Sequence, residues 1–327
     1  MTVRIQTPTE SMVVHYPEAI KFQDLQQNAF WTANEVNLEK DIQPLLTEMD
    51  EAEKHGVLTV LKLFTLYELR ADEFWGDVIK NMFPRPEIQG MASMFSAMEK
   101  SVHLRVYDKL NKLLNVSDDE FYNSYQDSPS MKARMEYLDK KLNTGTDLEK
   151  IAAFSFAEGA VLFSSFAYLM SFRANGSNKL PNIGLAVKFS ARDECVHNRG
   201  ASWLFQTLRK ELEDSGEDTN YIEKSVRSMA DQVQKHEYEI IDEIFSKSKN
   251  GKMSNITSVQ MKHFVDSRIN KVLNRMGFQK QFEVTYNPIA EWFDKVVESY
   301  QSVDFFAGQG SSYRRGWNKE EFTWNNG

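Results

Sequence analysis

Along most of the chain apolar residues recur every three or four positions, and nowhere do they alternate long enough to argue for a strand. Over 50–82, Val57, Val60, Leu61, Phe64, Leu69 and Phe74 fall on or near one stripe, which predicts a long helix. Pro84 and Pro86 punctuate its end. A second helix is expected over 87–114, then shorter and more polar helical segments over 117–142. Thr146-Asp147-Leu148-Glu149 has the capping-box pattern and opens a third long helix, which Asn175-Gly176 would close. A fourth begins after Pro181 and runs to about residue 213. The polar run Asp214-Ser215-Gly216-Glu217-Asp218 is a loop. Helices over 219–247 and 256–275 follow, the latter closed by Gly277. The scarcity of Gly (15) and Pro (8) suits such a helical chain with few tight turns.

The ends differ from the middle. Residues 1–25 are mixed and weakly periodic and read as an N-terminal extension. Residues 26–300 read as the folded domain. Residues 301–327 read as a flexible tail: Gly308, Gly310, Ser311, Ser312, Gly316, Asn325, Asn326 and Gly327 surround isolated aromatics. Such a segment cannot bury a core of its own, so its aromatics are expected to bind a partner.

Composition narrows the class. A chain of 327 residues with 41% hydrophobic and 26% charged residues folds as one large domain or two ordinary ones. Its net charge of −8, spread along the chain, argues against a nucleic-acid partner, which needs a basic face. Cys195 is the single cysteine, so no internal disulfide forms and a cytoplasmic setting is favoured. Residues 1–20 lack the apolar run of a signal peptide. The longest apolar stretch, 151–172, carries Glu158 near its middle. That is costly in a membrane and reads better as a buried helix with a working carboxylate.

The candidate chemistry lies on the four long helices. The first offers Glu68, the second Glu99 and His103, the third Glu158, and the fourth Glu194 and His197. Residues three or four apart share a helix face, so each Glu/His pair points one way. Taken singly, Glu68 and Glu99 would be solvated, since Arg70, Asp72, Glu73 and Lys100 surround them, and either histidine would be structural. Glu158 resists that reading because its neighbours are apolar. The joint pattern, one set per helix, is the inward-facing ligand set of a carboxylate-bridged di-metal site in a helical bundle. Mixed oxygen and nitrogen ligands suit iron or manganese. Cys195 falls off the Glu194/His197 face and reads as a core residue. Tyr107 lies one turn beyond His103 on the same face, where a redox role competes with that of an ordinary core tyrosine.

Several separated motifs then resemble one family, the small, radical-generating (beta, R2-type) subunit of class I ribonucleotide reductase. They are Glu158-Gly-Ala-Val-Leu-Phe-Ser-Ser-Phe166 with Ser190-Ala-Arg-Asp-Glu-Cys-Val-His197, then Phe30-Trp31-Thr32-Ala33-Asn34-Glu35-Val36-Asn37-Leu38. Asn287-Pro288 and Phe305-Phe306 with Tyr313 complete the set. The resemblance spans about residues 27–315. It implies an all-α, ferritin-like bundle in which Glu68, Glu99, His103, Glu158, Glu194 and His197 ligate two metal ions, iron first, with manganese or a mixed pair also compatible. It implies that Tyr107 stores a radical and that Asp193 hydrogen-bonds His103 and Trp31. Trp31 would conduct the electron and Tyr313 would relay it at the subunit boundary. Glu321-Phe322-Thr323-Trp324 would dock on the large (alpha) subunit, where ribonucleotides are reduced to deoxyribonucleotides. A homodimer is implied as well. The need for a flavodoxin-like activator and the choice between diphosphate and triphosphate substrates stay open.

Two positions depart from the family pattern. Glu68 stands where aspartate is usual. The first pair is spaced by four rather than three, so that strict spacing from His103 lands on Lys100. Glu99 fits the spacing from Glu68, and a local helix irregularity would absorb the extra residue. The rival readings are a ferritin-like di-metal oxidase or hydroxylase with its own substrate, and an iron-storage or scaffold protein. An oxidase or hydroxylase needs neither Tyr107 beside the ligands nor Tyr313 in a tail, storage predicts a shorter chain and a shell-forming assembly, and a scaffold leaves Glu158 without a purpose.

Overall fold

The computed structural model describes residues 3–174, 177–253 and 256–307, with 298–307 described by their backbone alone. Two helices, α1 (Pro17–Asn28) and α2 (Glu39–Thr47), precede the bundle. The first bundle helix, α3 (Glu51–Glu73), runs through a π turn (Phe74–Ile79) into α4 (Lys80–Met82). The second, α5 (Pro86–Met98), passes through another π turn (Glu99–His103) into α6 (Leu104–Leu113). Two helices, α7 (Asp119–Asn123) and α8 (Pro129–Thr144), lead to α9 (Asp147–Phe156). A third π turn (Ala157–Val161) joins α9 to α10 (Leu162–Ser171). The fourth bundle helix is the long α11 (Pro181–Asp214). It is followed by α12 (Tyr221–Ile244), α13 (Ser258–Arg275) and α14 (Pro288–Ala307). Among the described residues the β pairing is limited to isolated bridges at Lys249–Lys252 and Lys252–Thr257. The all-α expectation holds.

Local signals set the helix starts. Asp50 caps α3, accepting from the Glu53 N–H while the Glu53 carboxylate accepts from the Asp50 N–H. Thr146 and Glu149 do the same for α9, as their spacing suggested. Proline occupies the first position of α5, α8 and α11, where its missing N–H costs nothing. Gly277, at φ +89°, follows α13 in the left-handed conformation that ends many helices.

Phe64, Phe74, Phe154, Phe163 and Phe166 fill the space between the bundle helices, with the Phe74 and Phe154 rings stacked at 3.9 Å. Fully burying each such side chain contributes about 1.5–3 kcal/mol. The helix over Asp147–Ser171 is long and apolar enough to cross a membrane, yet all of its most apolar window is buried inside the bundle.

Three expectations change. Leu69 is 44% exposed, because it sits five residues beyond Phe64 and so about 140° round the helix from the stripe. The third long helix ends at Ser171, where the Arg173 and Ala174 N–H groups turn back onto Met170 and Ser171. Asn175 and Gly176, its expected end, lie outside the described residues. Finally α1, α2 and α14 were not anticipated. Ala19 and Phe22 of α1 and Ile289, Phe293 and Val297 of α14 belong to the same core as the bundle.

Candidate metal centre

Glu68, Glu99, His103, Glu158, Glu194 and His197 come together in the middle of the bundle, all with no solvent exposure. They form two overlapping sets. Glu68, Glu99, His103 and Glu194 each place a ligand atom within 4.8 Å of the others, and so do Glu99, Glu158, Glu194 and His197. Two carboxylates are common to both sets. Glu99 presents Oε2 to His103 Nδ1 at 3.0 Å and Oε1 to His197 Nδ1 at 2.6 Å. Glu194 likewise presents Oε1 to His103 Nδ1 at 3.2 Å and Oε2 to His197 Nδ1 at 3.3 Å. Glu68 approaches only His103, at 3.5 Å, and Glu158 only His197, at 3.4 Å. Glu99 and Glu194 therefore span the two halves of the site, while Glu68 and Glu158 close its ends.

The extra residue between Glu99 and His103 is absorbed by the π turn, in which the Leu104 N–H reaches back five residues to the Glu99 carbonyl. Glu99 is thereby turned inward. Lys100 is turned outward, 64% exposed and paired with Asp72 at 2.7 Å. Glu158 also sits on a π turn, with the Leu162 N–H bonded to the Ala157 carbonyl.

The donor set fits metal ions. Both oxygens of Glu68 and of Glu194, Glu99 Oε1, Glu158 Oε2 and His197 Nδ1 are buried with no hydrogen-bond partner among the described residues. Even the 2.6 Å approach of His197 Nδ1 to Glu99 Oε1 lacks hydrogen-bond alignment, as expected of lone pairs aimed at a common point. Buried groups left so are costly, by about 1–3 kcal/mol each and more when charged. Fully ionised, the four carboxylates would carry four negative charges, which two divalent cations would balance.

The titration behaviour follows from the same crowding. Burial opposes charge on every member. Burial and then Glu99 push Glu68 well above the usual carboxylate range, and burial and then Glu194 do the same to Glu158. Burial works against the imidazolium forms of His103 and His197, yet Glu99 and the other carboxylates push both well up. Burial would raise Glu99 too, but the two imidazoles hold it far below its ordinary value.

Each imidazole is fixed from behind. His103 Nε2 donates to Asp193 Oδ2 at 3.1 Å, and the Trp31 indole N–H donates to the same oxygen at 2.7 Å. Arg192 lies 3.3 Å from the other Asp193 oxygen. Arg192, His103 and Trp31 together outweigh burial and keep Asp193 ionised. His197 Nε2 donates instead to the neutral Gln26 Oε1 at 3.1 Å. These bonds select the tautomer that leaves both Nδ1 atoms facing the carboxylates.

Tyr107 is buried one turn beyond His103 and packs on Phe64 at a ring separation of 4.4 Å. Its hydroxyl donates to Ser190 Oγ at 3.1 Å. Burial and then the Glu68 carboxylate push the phenol well above its ordinary value, so it holds its proton. Cys195 is buried and free, as expected of a core residue. Tyr313 and Glu321-Phe322-Thr323-Trp324 lie outside the described residues.

Sequence reasoning missed Gln26 and Trp75, and it named Ser190 as a motif residue without its bond to Tyr107. The Trp75 indole N–H donates to Glu158 Oε1 at 3.1 Å. Its position seven residues after Glu68, two turns along the same helix face, was the signal that could have found it. Nothing local marks Gln26, which reaches His197 across 171 residues of sequence.

A helical bundle with two overlapping, buried Glu/His sets that could hold metal ions has the architecture of the ferritin-like class of protein. The family model for the ribonucleotide reductase small chain matches residues 10–288, and the chain belongs to that family. It is 28% identical over 320 residues to a probable ribonucleoside-diphosphate reductase small subunit of Invertebrate iridescent virus 3, covering 92% of this chain and 82% of that one. It is 24% identical to a small chain of Acanthamoeba polyphaga mimivirus, covering 93% and 71%. In fold it is similar to the dimanganese(II) NrdF of Streptococcus sanguinis, with a TM-score of 0.75, 20% identity and coverage of 89% and 99%. It is also similar in fold to the Rnr4 homodimer of Saccharomyces cerevisiae, with a TM-score of 0.70, 18% identity and coverage of 91% and 92%.

Proposed function

We propose that this chain is the radical-generating small subunit of a ribonucleoside-diphosphate or ribonucleoside-triphosphate reductase. Its metal ligands would be Glu68, Glu99, His103, Glu158, Glu194 and His197. The observation that carries this reading is the pair of carboxylates, Glu99 and Glu194, that each turn one oxygen to each imidazole. Two redox-active divalent ions, iron first and manganese or a mixed pair as alternatives, would supply the oxidising equivalent by reacting with an oxygen species.

The protein's own groups govern the radical step. With the ions bound, Tyr107 would pass one electron to the oxidised metal pair and its hydroxyl proton toward the carboxylate cluster beginning at Glu68, becoming a neutral radical in a pocket closed to water by Phe64 and its neighbours. Ser190 Oγ fixes the hydroxyl direction. The His103–Asp193–Trp31 chain offers an electron path from the site, since hydrogen bonds link all three. Tyr313 would continue that path, and Glu321-Phe322-Thr323-Trp324 would dock on the large subunit. A relay is needed because Tyr107 is buried and cannot touch a nucleotide held by another chain. The reading includes a homodimer in a cytoplasmic setting, with a flavodoxin-like activator as an optional partner.

The test is reconstitution. Loaded with iron or manganese and mixed with its large subunit, the chain is expected to support deoxyribonucleotide formation, and Tyr107→Phe and Tyr313→Phe chains are not. Undiminished turnover in both variants would overturn the assignment.

A further inference from the structure

The turn that carries Glu158 is held open from outside its own helix. A π turn widens the helix by one residue and is rare except as a single turn inside an α-helix, where it often marks a functional site. Here two carbonyls that flank Glu158 are taken by side chains of other helices. Ser155 O accepts from Asn198 Nδ2 of α11 at 2.7 Å, and Gly159 O accepts from Arg268 Nε of α13 at 2.9 Å. Both donors are themselves fixed. Asn198 Oδ1 accepts from Arg275 Nη1 at 2.5 Å. The Arg268 guanidinium lies over the Phe163 ring at 3.6 Å and faces Asp294 at 3.9 Å. Arg268 is only 2% exposed, unusual for arginine and costly unless its charge has work to do.

The packing around Gly159 is equally specific. A Cβ there would lie 2.3 Å from Val272 Cγ2 and 2.5 Å from Asn198 Nδ2, so α13 and α11 press directly on the turn's backbone. On the inner side, the Trp75 indole holds Glu158 Oε1. Glu158 is thus placed by a clamp whose outer jaw is Arg268 and Asn198.

We propose that Arg268 is a positioning residue for the second metal ion: by bonding the Gly159 carbonyl it keeps the Ala157–Val161 turn in its widened register and so keeps Glu158 in the Glu99/Glu158/Glu194/His197 set. This rests on the di-metal reading. It predicts an uneven loss. Without Arg268 the turn tightens, Glu158 rotates out, and the first set, Glu68/Glu99/His103/Glu194, still binds its ion.

The experiment compares the full-length chain with Arg268→Met, Arg268→Lys and Asp294→Asn, by Mn(II) stoichiometry at equilibrium and by a crystal structure of each metal-free protein. The expected result is two ions for the parent chain and Asp294→Asn, one for Arg268→Met, and a return toward two for Arg268→Lys, which keeps a donor. In Arg268→Met the Ala157 carbonyl should accept from Val161 rather than Leu162. If Arg268→Met fails to fold, Arg268→Leu combined with Asp294→Asn removes the donor and the charge pair together and takes its place. A π register preserved in Arg268→Met or its donor-free substitute, or two ions bound despite a lost register, overturns the proposal. A parent chain that binds no ions contradicts the di-metal reading instead, and the crystallographic register still decides whether Arg268 holds the turn.

Discussion

Trp31 and His103 donate to the same oxygen, Asp193 Oδ2, at 2.7 and 3.1 Å. A single carboxylate oxygen therefore orients a metal-facing imidazole and an indole whose rings lie 5.9 Å apart. Asparagine cannot reproduce this, since its one carbonyl oxygen would serve both donors only if its NH2 group faced Arg192. The Asp193→Asn chain is expected to lose about 10- to 100-fold in metal affinity, the usual effect of removing such a supporting partner. Competition titration with a metal chelator measures it. Unchanged affinity would show that Asp193 does not orient His103.

Metal loading is expected to release protons. In the metal-free chain the carboxylates push His103 and His197 above their ordinary range, and burial with neighbouring carboxylates pushes Glu68 and Glu158 up. Groups shifted upward in this way hold their protons to higher pH than usual, and metal ions must displace whatever protons remain. Apparent affinity falls as pH falls, and calorimetry in buffers of different ionisation enthalpy should show net proton release to the buffer. Binding heats independent of the buffer would contradict this.

The start of the helix leading to Glu158 has its own acid sensitivity. Burial would raise Glu149, but bonds from Ser225, the Thr146 N–H and Lys141 hold it down to about 2. A depressed carboxylate stabilises the fold above its unfolded value of about 4.3 and loses that contribution as pH falls toward 2. Glu149→Gln should flatten the dependence of urea-unfolding stability on pH across that window. An unchanged slope would remove Glu149 from the account.

The ligand helices were legible because their signals are local. Glu158 stands in an apolar run, the Glu/His spacings share a face, and the Thr146/Glu149 box marks a start within four residues. What was not legible depends on partners distant in sequence. The widened turn at Ala157–Val161 is held by Arg268, 109 residues from Gly159, and no local pattern announces it. The irregularity at Glu99–His103 was inferable only because the spacing failed by one residue. Helix α1 has a weak apolar stripe and buries Gln26 among its few core residues, so tertiary contact rather than amphipathicity stabilises it. Leu69 shows the converse error, an apolar residue read into a stripe that the helix geometry turns to solvent.

The central claim is that the two overlapping ligand sets serve to oxidise Tyr107. The direct measurement is electron paramagnetic resonance on protein loaded anaerobically with Fe(II) or Mn(II) and then exposed to O2, with Tyr107→Phe in parallel and a superoxide source supplied to each. The account predicts a tyrosyl signal coupled to a metal pair in the parent chain and none in Tyr107→Phe, which still binds two ions. Metal uptake and O2 consumption with no Tyr107-dependent radical under either oxidant would contradict it.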